Sequence, residues 1–160
     1  VLTLASPTLK RSYEAYVSLP ADYAKNTTSY PVVYVTDAPY AFPLIRAIAG
    51  RVDRHGVGLE GFILVGLGYA QGDSGVVSRN RDYTPTDRKR EGKDGYGESA
   101  AYLAHLEKEM LPLLESRYRI NPKRRIFIGH SYGALLGLRR AGDVRDPRGE
   151  RGPHRDVGDG

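Results

Sequence analysis

The sequence predicts an α/β fold, in which helices flank a mainly parallel β-sheet, and three observations support this class. Three short apolar runs, at residues 31–36, 62–67 and 124–129, have the length and composition of buried strands. A long amphipathic helical pattern lies between the second and third runs. Strands that alternate with helices along the chain are typical of parallel sheets.

A half-buried strand is predicted ahead of these runs, at residues 12–19. Apolar and polar side chains alternate in this segment, as they do in a strand with one face on the core. Its apolar face carries Tyr13, Ala15, Val17 and Leu19.

Helices and one long connection account for most of the remaining chain. Residues 42–52 have apolar side chains at helical spacing, and residues 98–118 form the clearest helical pattern. Pro112 lies inside that pattern and is expected to kink the helix or shift its boundary. The polar stretch 71–96 is longer than most connections, which predicts a functional or mobile loop. Another helix is expected to begin at residues 134–138.

The composition changes after Leu138. Residues 139–160 are dominated by Arg, Gly, Asp and Pro and have no periodic apolar pattern. Such a segment buries too little surface to offset its ordering entropy. We therefore predict a domain at residues 6–138, followed by a tail that is disordered or the product of a frameshift.

Composition also excludes several kinds of site. The chain has no Cys, so it has no disulfide, thiolate metal site or cysteine nucleophile. No metal-ligand spacing, dinucleotide fingerprint or phosphate loop is present, and no cofactor or metal is expected. The formal charge is +5, but acidic residues are interleaved with basic ones, so nucleic acid is not an expected partner.

No apolar run has membrane-spanning length, so no membrane partner is expected. The apolar patch at residues 1–4 does not have the pattern of a signal peptide. This favours a cytoplasmic location, and a periplasmic or secreted one stays open if the N-terminus is trimmed.

The strongest chemical motif is the Gly-His-Ser-Tyr-Gly segment at residues 129–133. It lies between an apolar strand and an apolar helix, the context in which a sharp turn presents a nucleophilic serine. Ser131 is the candidate nucleophile, and the backbone N–H of Tyr132 is a candidate oxyanion donor. Gly129 and Gly133 leave room for close backbone approach. The alternative is a glycine-lined turn with an idle serine.

Four matches in sequence order extend this motif to a family resemblance. They are residues 9–20 with 30–37, then 65–69, 81–86 and 129–133. Together they resemble the "Putative esterase" family of the α/β-hydrolase superfamily, which includes esterase-D-like and enterobactin-type siderophore esterases. The resemblance covers about residues 6–138, the N-terminal half of such a domain. It implies a serine carboxylic-ester hydrolase acting on a small-molecule ester.

The resemblance further implies a second oxyanion donor in the loop Asp37-Ala38-Pro39-Tyr40. Pro39 has no N–H, so the donor is Ala38 or Tyr40, and we take Ala38 as the candidate. Asp37 itself is interpreted as a strand-end turn residue. The segment 81–83, Arg-Asp-Tyr, either lines the substrate cleft or forms a salt-bridged surface loop.

The acid and base of a catalytic triad are not recognisable. In α/β-hydrolases both follow the nucleophile, and after Ser131 the only imidazole is that of His154. The downstream carboxylates are Asp143, Asp146, Glu150, Asp156 and Asp159. The remaining histidines, His55, His105 and His130, are interpreted as surface or packing residues.

Three interpretations therefore stay open: an impaired serine esterase, an inactive pseudoenzyme or fragment that acts through association, and an acyltransfer enzyme of related fold.

The strand at residues 124–128 has no expected partner on one side. Such an apolar edge predicts self-association of the chain.

Overall fold

A five-stranded sheet forms the centre of the protein. The computed structural model describes residues 1–54, 58, 60–86 and 95–142. The strands are β1 (Leu2–Ser6), β2 (Arg11–Ser18), β3 (Tyr30–Val35), β4 (Ile63–Ala70) and β5 (Ile120–Ile128). Their order is β1-β2-β4-β3-β5. β3 pairs in parallel with β4 and β5, while β1 and β2 form an antiparallel extension at one side.

Helices cover both faces of the sheet, which confirms the predicted α/β class. They are α1 (Ala38–Arg54), α2 (Gly75–Tyr83), α3 (Ser99–His105), α4 (Leu111–Arg117) and α5 (Tyr132–Gly142). A short 3₁₀ helix, Tyr23–Lys25, precedes β3. Within the described residues, no helix is both long and apolar enough to cross a membrane.

The long helix predicted at residues 98–118 is confirmed, with a π-helical turn in its middle. The turn Leu106–Met110 joins α3 to α4. Pro112 lies in the first turn of α4. Because α4 continues directly from the π-helical turn, a proline at this position leaves a carbonyl of that turn without its helical donor, and π-helical turns are a typical way for a helix to accommodate such an interruption. Of the two effects expected for Pro112, the structure thus shows a boundary between helical segments.

Helix α2 corrects the expectation that residues 71–96 form a loop. Ser74 caps it, since its hydroxyl accepts a hydrogen bond from the Val77 N–H at 3.3 Å. Its apolar residues Val76 and Val77 are exposed, whereas polar Ser78 and Asp82 are buried. Because buried polar contacts hold this helix, its sequence has no apolar periodicity from which it could be predicted. Residues 87–94 lie outside the described part of the chain.

Strand β5 corrects a second expectation, because the run at residues 124–129 was predicted to be buried. Ile126, Phe127 and Ile128 are 56%, 39% and 41% exposed. Among the described residues, β5 pairs only with β3 and forms an edge of the sheet. An apolar strand is buried only where neighbours cover it, and on one side of β5 the described chain supplies none.

The core lies mainly on one face of the sheet. There the π-helical turn and α3 to α5 pack against the strands through large buried side chains, including Tyr13, Tyr102, Met110, Leu114 and Leu136. On the other face, α1 covers a smaller cluster of Val33, Val35 and Leu64. Because β3, β4 and β5 run parallel, the loops after all three meet at one end of the sheet.

Helix α5 continues to Gly142, past Leu138, where the tail was expected to begin. Residues 143–160 are outside the described part of the chain. The boundary at residue 138 therefore stays a prediction, and so do the roles considered for the downstream acids and His154.

Replacement of Leu114 tests the assignment of the core. Its side chain is completely buried, so Leu114→Ala should lower the free energy of unfolding by about 2–5 kcal/mol. Urea denaturation followed by circular dichroism measures this change. Leu138, which is 71% exposed, is the matched control, and Leu138→Ala should change stability by no more than about 0.5 kcal/mol. Equal effects at the two positions would contradict the packing described here.

Candidate active site

Ser131 lies on a sharp turn between the end of β5 and the start of α5. Its φ angle is +56°, in the left-handed region that residues other than glycine rarely adopt. Such a conformation costs on the order of 1–3 kcal/mol and is found where a nucleophile is presented on a strand-to-helix turn. The side chain is exposed. Hydrogen bonds from Gly133 N–H to His130 O (2.9 Å) and from Leu135 N–H to Ser131 O (3.1 Å) hold the turn.

Both glycines of the motif are required by close backbone packing. A Cβ atom at position 129 would overlap the backbone of Gly133. A Cβ atom at Gly133 would overlap the side-chain oxygen of Thr36, the residue that follows β3. The turn that carries Ser131, called the Ser131 turn below, is therefore folded against itself and against the end of β3.

The two candidate oxyanion donors are backbone N–H groups at helix starts. Tyr132 is the first residue of α5 and Ala38 the first residue of α1, so neither N–H has a partner within its helix. The Tyr40 N–H donates to Asp37 O at 3.2 Å. Of the two donors left open by the sequence, Ala38 is therefore the one whose N–H is not used in the first turn of α1.

Asp37 does more than end a strand. It is 1% exposed and has a left-handed φ of +57°. Its carboxylate accepts hydrogen bonds from the hydroxyls of Tyr69 (2.8 Å) and Tyr40 (3.3 Å). Arg79 Nε lies 2.6 Å from Oδ1, as a close ion pair without hydrogen-bond alignment. The interpretation of Asp37 as a strand-end turn residue is therefore confirmed for its position, but it did not include these hydrogen bonds and this ion pair.

Arg79 joins the network to the Ser131 turn. Its Nη2 lies 3.5 Å from His130 O, and its guanidinium carbon lies 5.8 Å from the centre of the Tyr132 ring. Burial is the largest single effect on the pKa of Arg79 and lowers it, but pairing with Asp37 and the nearby hydroxyls of Tyr69 and Tyr40 together outweigh burial, so the pKa is raised. Burial, the hydrogen bond to Asp37 and the charge of Asp37 all raise the pKa of Tyr69.

Sequence reasoning did not identify Arg79 or Tyr69. Arg79 lies on α2, which has no apolar periodicity, and Tyr69 lies near the end of β4 among other uncharged residues. One general rule could have drawn attention to them. Polar side chains near the carboxyl ends of neighbouring parallel strands meet at one edge of the sheet, and both residues lie at or after the end of β4.

The segment Arg81-Asp82-Tyr83 is salt-bridged, as one of its two interpretations expected, but it is not a surface loop: it lies in α2, and Asp82 and Tyr83 are buried. Arg81 pairs with Asp82 at 2.9 Å and with Asp73 at 2.6 Å. Buried Asp82 also accepts hydrogen bonds from the hydroxyls of Tyr13 and Ser78, each at 3.0 Å. These contacts anchor α2 to β2 and keep Arg79 on a fixed helix.

The two histidines that the structure describes occupy packing and turn positions. His105 is buried, its Nδ1 lies 2.8 Å from Glu109 Oε2, and its ring packs 5.0 Å from that of Tyr13. This confirms its interpretation as a packing residue. His130 is exposed, and its carbonyl stabilises the turn. None of the hydrogen bonds in the described part of the chain joins an imidazole to Ser131. His55 and His154 lie outside the described residues.

Comparison with known proteins relates this fold and site to esterases. The family model described as "Putative esterase" matches residues 6–146. Ferri-bacillibactin esterase BesA of Bacillus subtilis (strain 168) is 29% identical over 150 residues, which are 86% of this chain and 51% of that protein. Siderophore triacetylfusarinine C esterase of Aspergillus fumigatus is 27% identical over 130 residues, covering 79% of this chain and 44% of its own length.

Among solved structures, the IroE-like serine hydrolase of Shewanella oneidensis has a TM-score of 0.72 and 28% identity. The match covers 86% of this chain and 44% of that one. The chain thus spans about half the length of the curated relatives it matches. Because the family model matches most of the sequence, the chain belongs to the "Putative esterase" family.

Proposed function

We propose that this chain supplies the nucleophile and oxyanion-binding part of a serine carboxylic-ester hydrolase, with Ser131 as the nucleophile. The observation that carries the proposal is the left-handed backbone of Ser131 on an exposed strand-to-helix turn. Two matched relatives are siderophore esterases, which supports a small-molecule siderophore ester as the substrate class.

In the proposed reaction, Ser131 Oγ attacks the ester carbonyl carbon and its hydroxyl proton passes to a base. The carbonyl oxygen becomes an oxyanion, which accepts hydrogen bonds from the N–H groups of Tyr132 and Ala38. The C–O bond to the alcohol then breaks, and the alcohol leaves with that proton. Water hydrolyses the acyl-enzyme and regenerates the serine hydroxyl.

The described residues provide only part of this machinery. A serine esterase also needs an imidazole to take the proton and a carboxylate to orient that imidazole. Within the described chain, His105 is committed to Glu109 and the core, and no hydrogen bond joins His130 to Ser131. Unless His154 or another chain supplies the base, only the smaller rate contributed by binding and the oxyanion hole is expected.

A fluorophosphonate probe tests the nucleophile directly. Attack by Ser131 forms an Oγ–P bond, breaks the P–F bond and releases fluoride, so the adduct is measured by mass spectrometry of the peptide. We expect labelling of the wild-type chain and its loss in Ser131→Ala. Ser116→Ala is the matched control, because Ser116 is exposed on α4 and should leave labelling unchanged. Hydrolysis of p-nitrophenyl acetate by the same variants should follow the same pattern.

We also propose that the chain self-associates through β5. Its outer edge presents backbone N–H and C=O groups without a partner strand in the described chain, beside exposed Ile126 and Ile128. An open edge of this kind pairs readily with another strand. A second copy of the chain supplies such a strand at high protein concentration.

Light scattering coupled to size-exclusion chromatography tests this association. We expect the wild-type chain to be larger than a monomer and Ile126→Lys to shift it toward the monomer, because a charged side chain on an edge strand opposes pairing. Leu44→Lys is the control, since Leu44 is as exposed as Ile126 but lies on α1. A monomeric wild-type chain at high concentration would show that the edge does not associate.

A further inference from the structure

We propose that Tyr40 is a specificity-determining residue, whose exposed ring binds a flat aromatic group of the ester beside Ser131. This role rests on the proposed function of Ser131 and adds the kind of group that its substrate carries. Three observations support it: the position of Tyr40 beside the Ser131 turn, the hydrogen bond of its hydroxyl and the exposure of its ring.

Tyr40 lies at the carboxyl end of the sheet, next to the Ser131 turn. It is the third residue of α1, the helix that follows β3 and Asp37. Its hydroxyl donates a hydrogen bond to Asp37 Oδ2 at 3.3 Å. A methyl group at Gly133 would lie 3.5 Å from the same oxygen. A single carboxylate oxygen therefore separates the Tyr40 hydroxyl from the Ser131 turn.

Both the backbone and the side chain of Tyr40 are held by Asp37. The Tyr40 N–H donates to Asp37 O at 3.2 Å, and the hydroxyl donates to the carboxylate. Partial burial of the hydroxyl, followed by the charge of Asp37, raises the pKa of Tyr40, so the hydroxyl keeps its proton at neutral pH and stays a donor. A ring held in this way loses little conformational entropy when a ligand packs on it.

The ring of Tyr40 is open, in contrast to two other tyrosines of the site. Tyr40 is 53% exposed. The ring of Tyr69, which binds the same carboxylate, packs on Gly75, where a Cβ atom would lie 2.7 Å from its Cε2. The ring of Tyr132 is half-buried, and the guanidinium of Arg79 lies 5.8 Å from its centre. Within the described residues, Tyr40 is thus the most open of the three.

An exposed aromatic ring beside an exposed nucleophile favours a planar, conjugated group on the substrate. Offset-stacked and edge-to-face contacts need an aromatic partner, whereas an alkyl chain gains only the burial of its surface. Ser131 and Tyr40 are both exposed, so a substrate with its carbonyl carbon at Ser131 Oγ can place a neighbouring aromatic group on the ring. We therefore expect aromatic esters to bind more tightly than alkyl esters of similar size.

Two fluorophosphonates that differ only in one organic group, phenyl or butyl, test this preference. Attack by Ser131 Oγ on either probe forms the Oγ–P bond, breaks the P–F bond and releases fluoride and the hydroxyl proton. Because the leaving group is the same, a difference in labelling comes from the organic group. The concentration dependence of labelling separates KI, the dissociation constant of the probe, from kinact, the rate constant of bond formation. Both are measured for the wild-type chain, Tyr40→Phe and Tyr40→Leu.

We expect Tyr40→Leu to raise KI for the phenyl probe by about 3- to 10-fold and KI for the butyl probe by less than about 2-fold, because the aromatic contact is lost while apolar bulk remains. Tyr40→Phe keeps the ring and should keep the preference for the phenyl probe. The value of kinact should change little in both variants, since the ring binds the substrate and does not contact the reacting atoms.

Ile48→Ala is the matched control. Ile48 lies two turns further along α1 and is 55% exposed, which is close to the exposure of Tyr40. This variant should leave KI unchanged for both probes.

Three results would overturn the role of Tyr40: equal KI values of the wild-type chain for the two probes, a Tyr40→Leu variant that keeps the preference for the phenyl probe, or an equal loss of kinact for both probes in that variant. The last result would show that Tyr40 only supports the shape of the site. Failure of the wild-type chain to label at Ser131 with either probe is a different result. It would overturn the proposed function and, with it, the role of Tyr40.

Discussion

At the carboxyl end of β3, a buried carboxylate and a cation hold together the loops that form the candidate site. The Asp37 side chain accepts hydrogen bonds from two tyrosine hydroxyls and pairs with Arg79 at 2.6 Å. Arg79 in turn reaches the carbonyl of the residue before Ser131. Burying such a charge costs much less free energy when it is paired and hydrogen-bonded. The network therefore favours one arrangement of the loop after β3, the end of β4, helix α2 and the Ser131 turn.

Close backbone packing imposes a second restriction on the same region. Gly133 packs against Thr36, and Gly129 packs against Gly133, so neither position has room for a side chain. The backbones of Ser131 and Asp37 are both left-handed, at adjacent ends of β5 and β3. Two strained residues within one small region, each supported by hydrogen bonds, are typical of a site where geometry is maintained at a cost in stability.

The sheet itself is unevenly covered. Helices α2 to α5 bury one face of the sheet over a large tyrosine- and leucine-rich cluster, while α1 alone covers the other face in the described residues. β5, which leads to Ser131, is the most exposed strand. The chain therefore presents its candidate nucleophile at the end of an open sheet edge, so the surroundings of Ser131 depend on what covers that edge.

The sequence alone determined the parallel strands, the long helix and the Ser131 turn. Each has a local signature: apolar β-branched runs, leucines at helical spacing, and two glycines around Ser131. Helix α2 and the contacts of Arg79 had no such signature, because α2 is stabilised by buried polar contacts with residues distant in the sequence. Apolar periodicity indicates a helix that packs on a hydrophobic core, and it cannot indicate a helix that is held by polar contacts.

For β5 the sequence predicted the unpaired edge that the structure has, but it also predicted a buried strand. Its composition is that of a strand buried on both faces, yet Ile126 is more than half exposed. Composition records the environment to which a strand is suited, whereas exposure depends on which neighbours are present. The local sequence thus determined where the Ser131 turn lies and why it bends. Only the tertiary structure decided which charges surround that turn, because the ion pair of Asp37 and Arg79 joins residues that meet only when α2 packs against β4, the neighbour of β3.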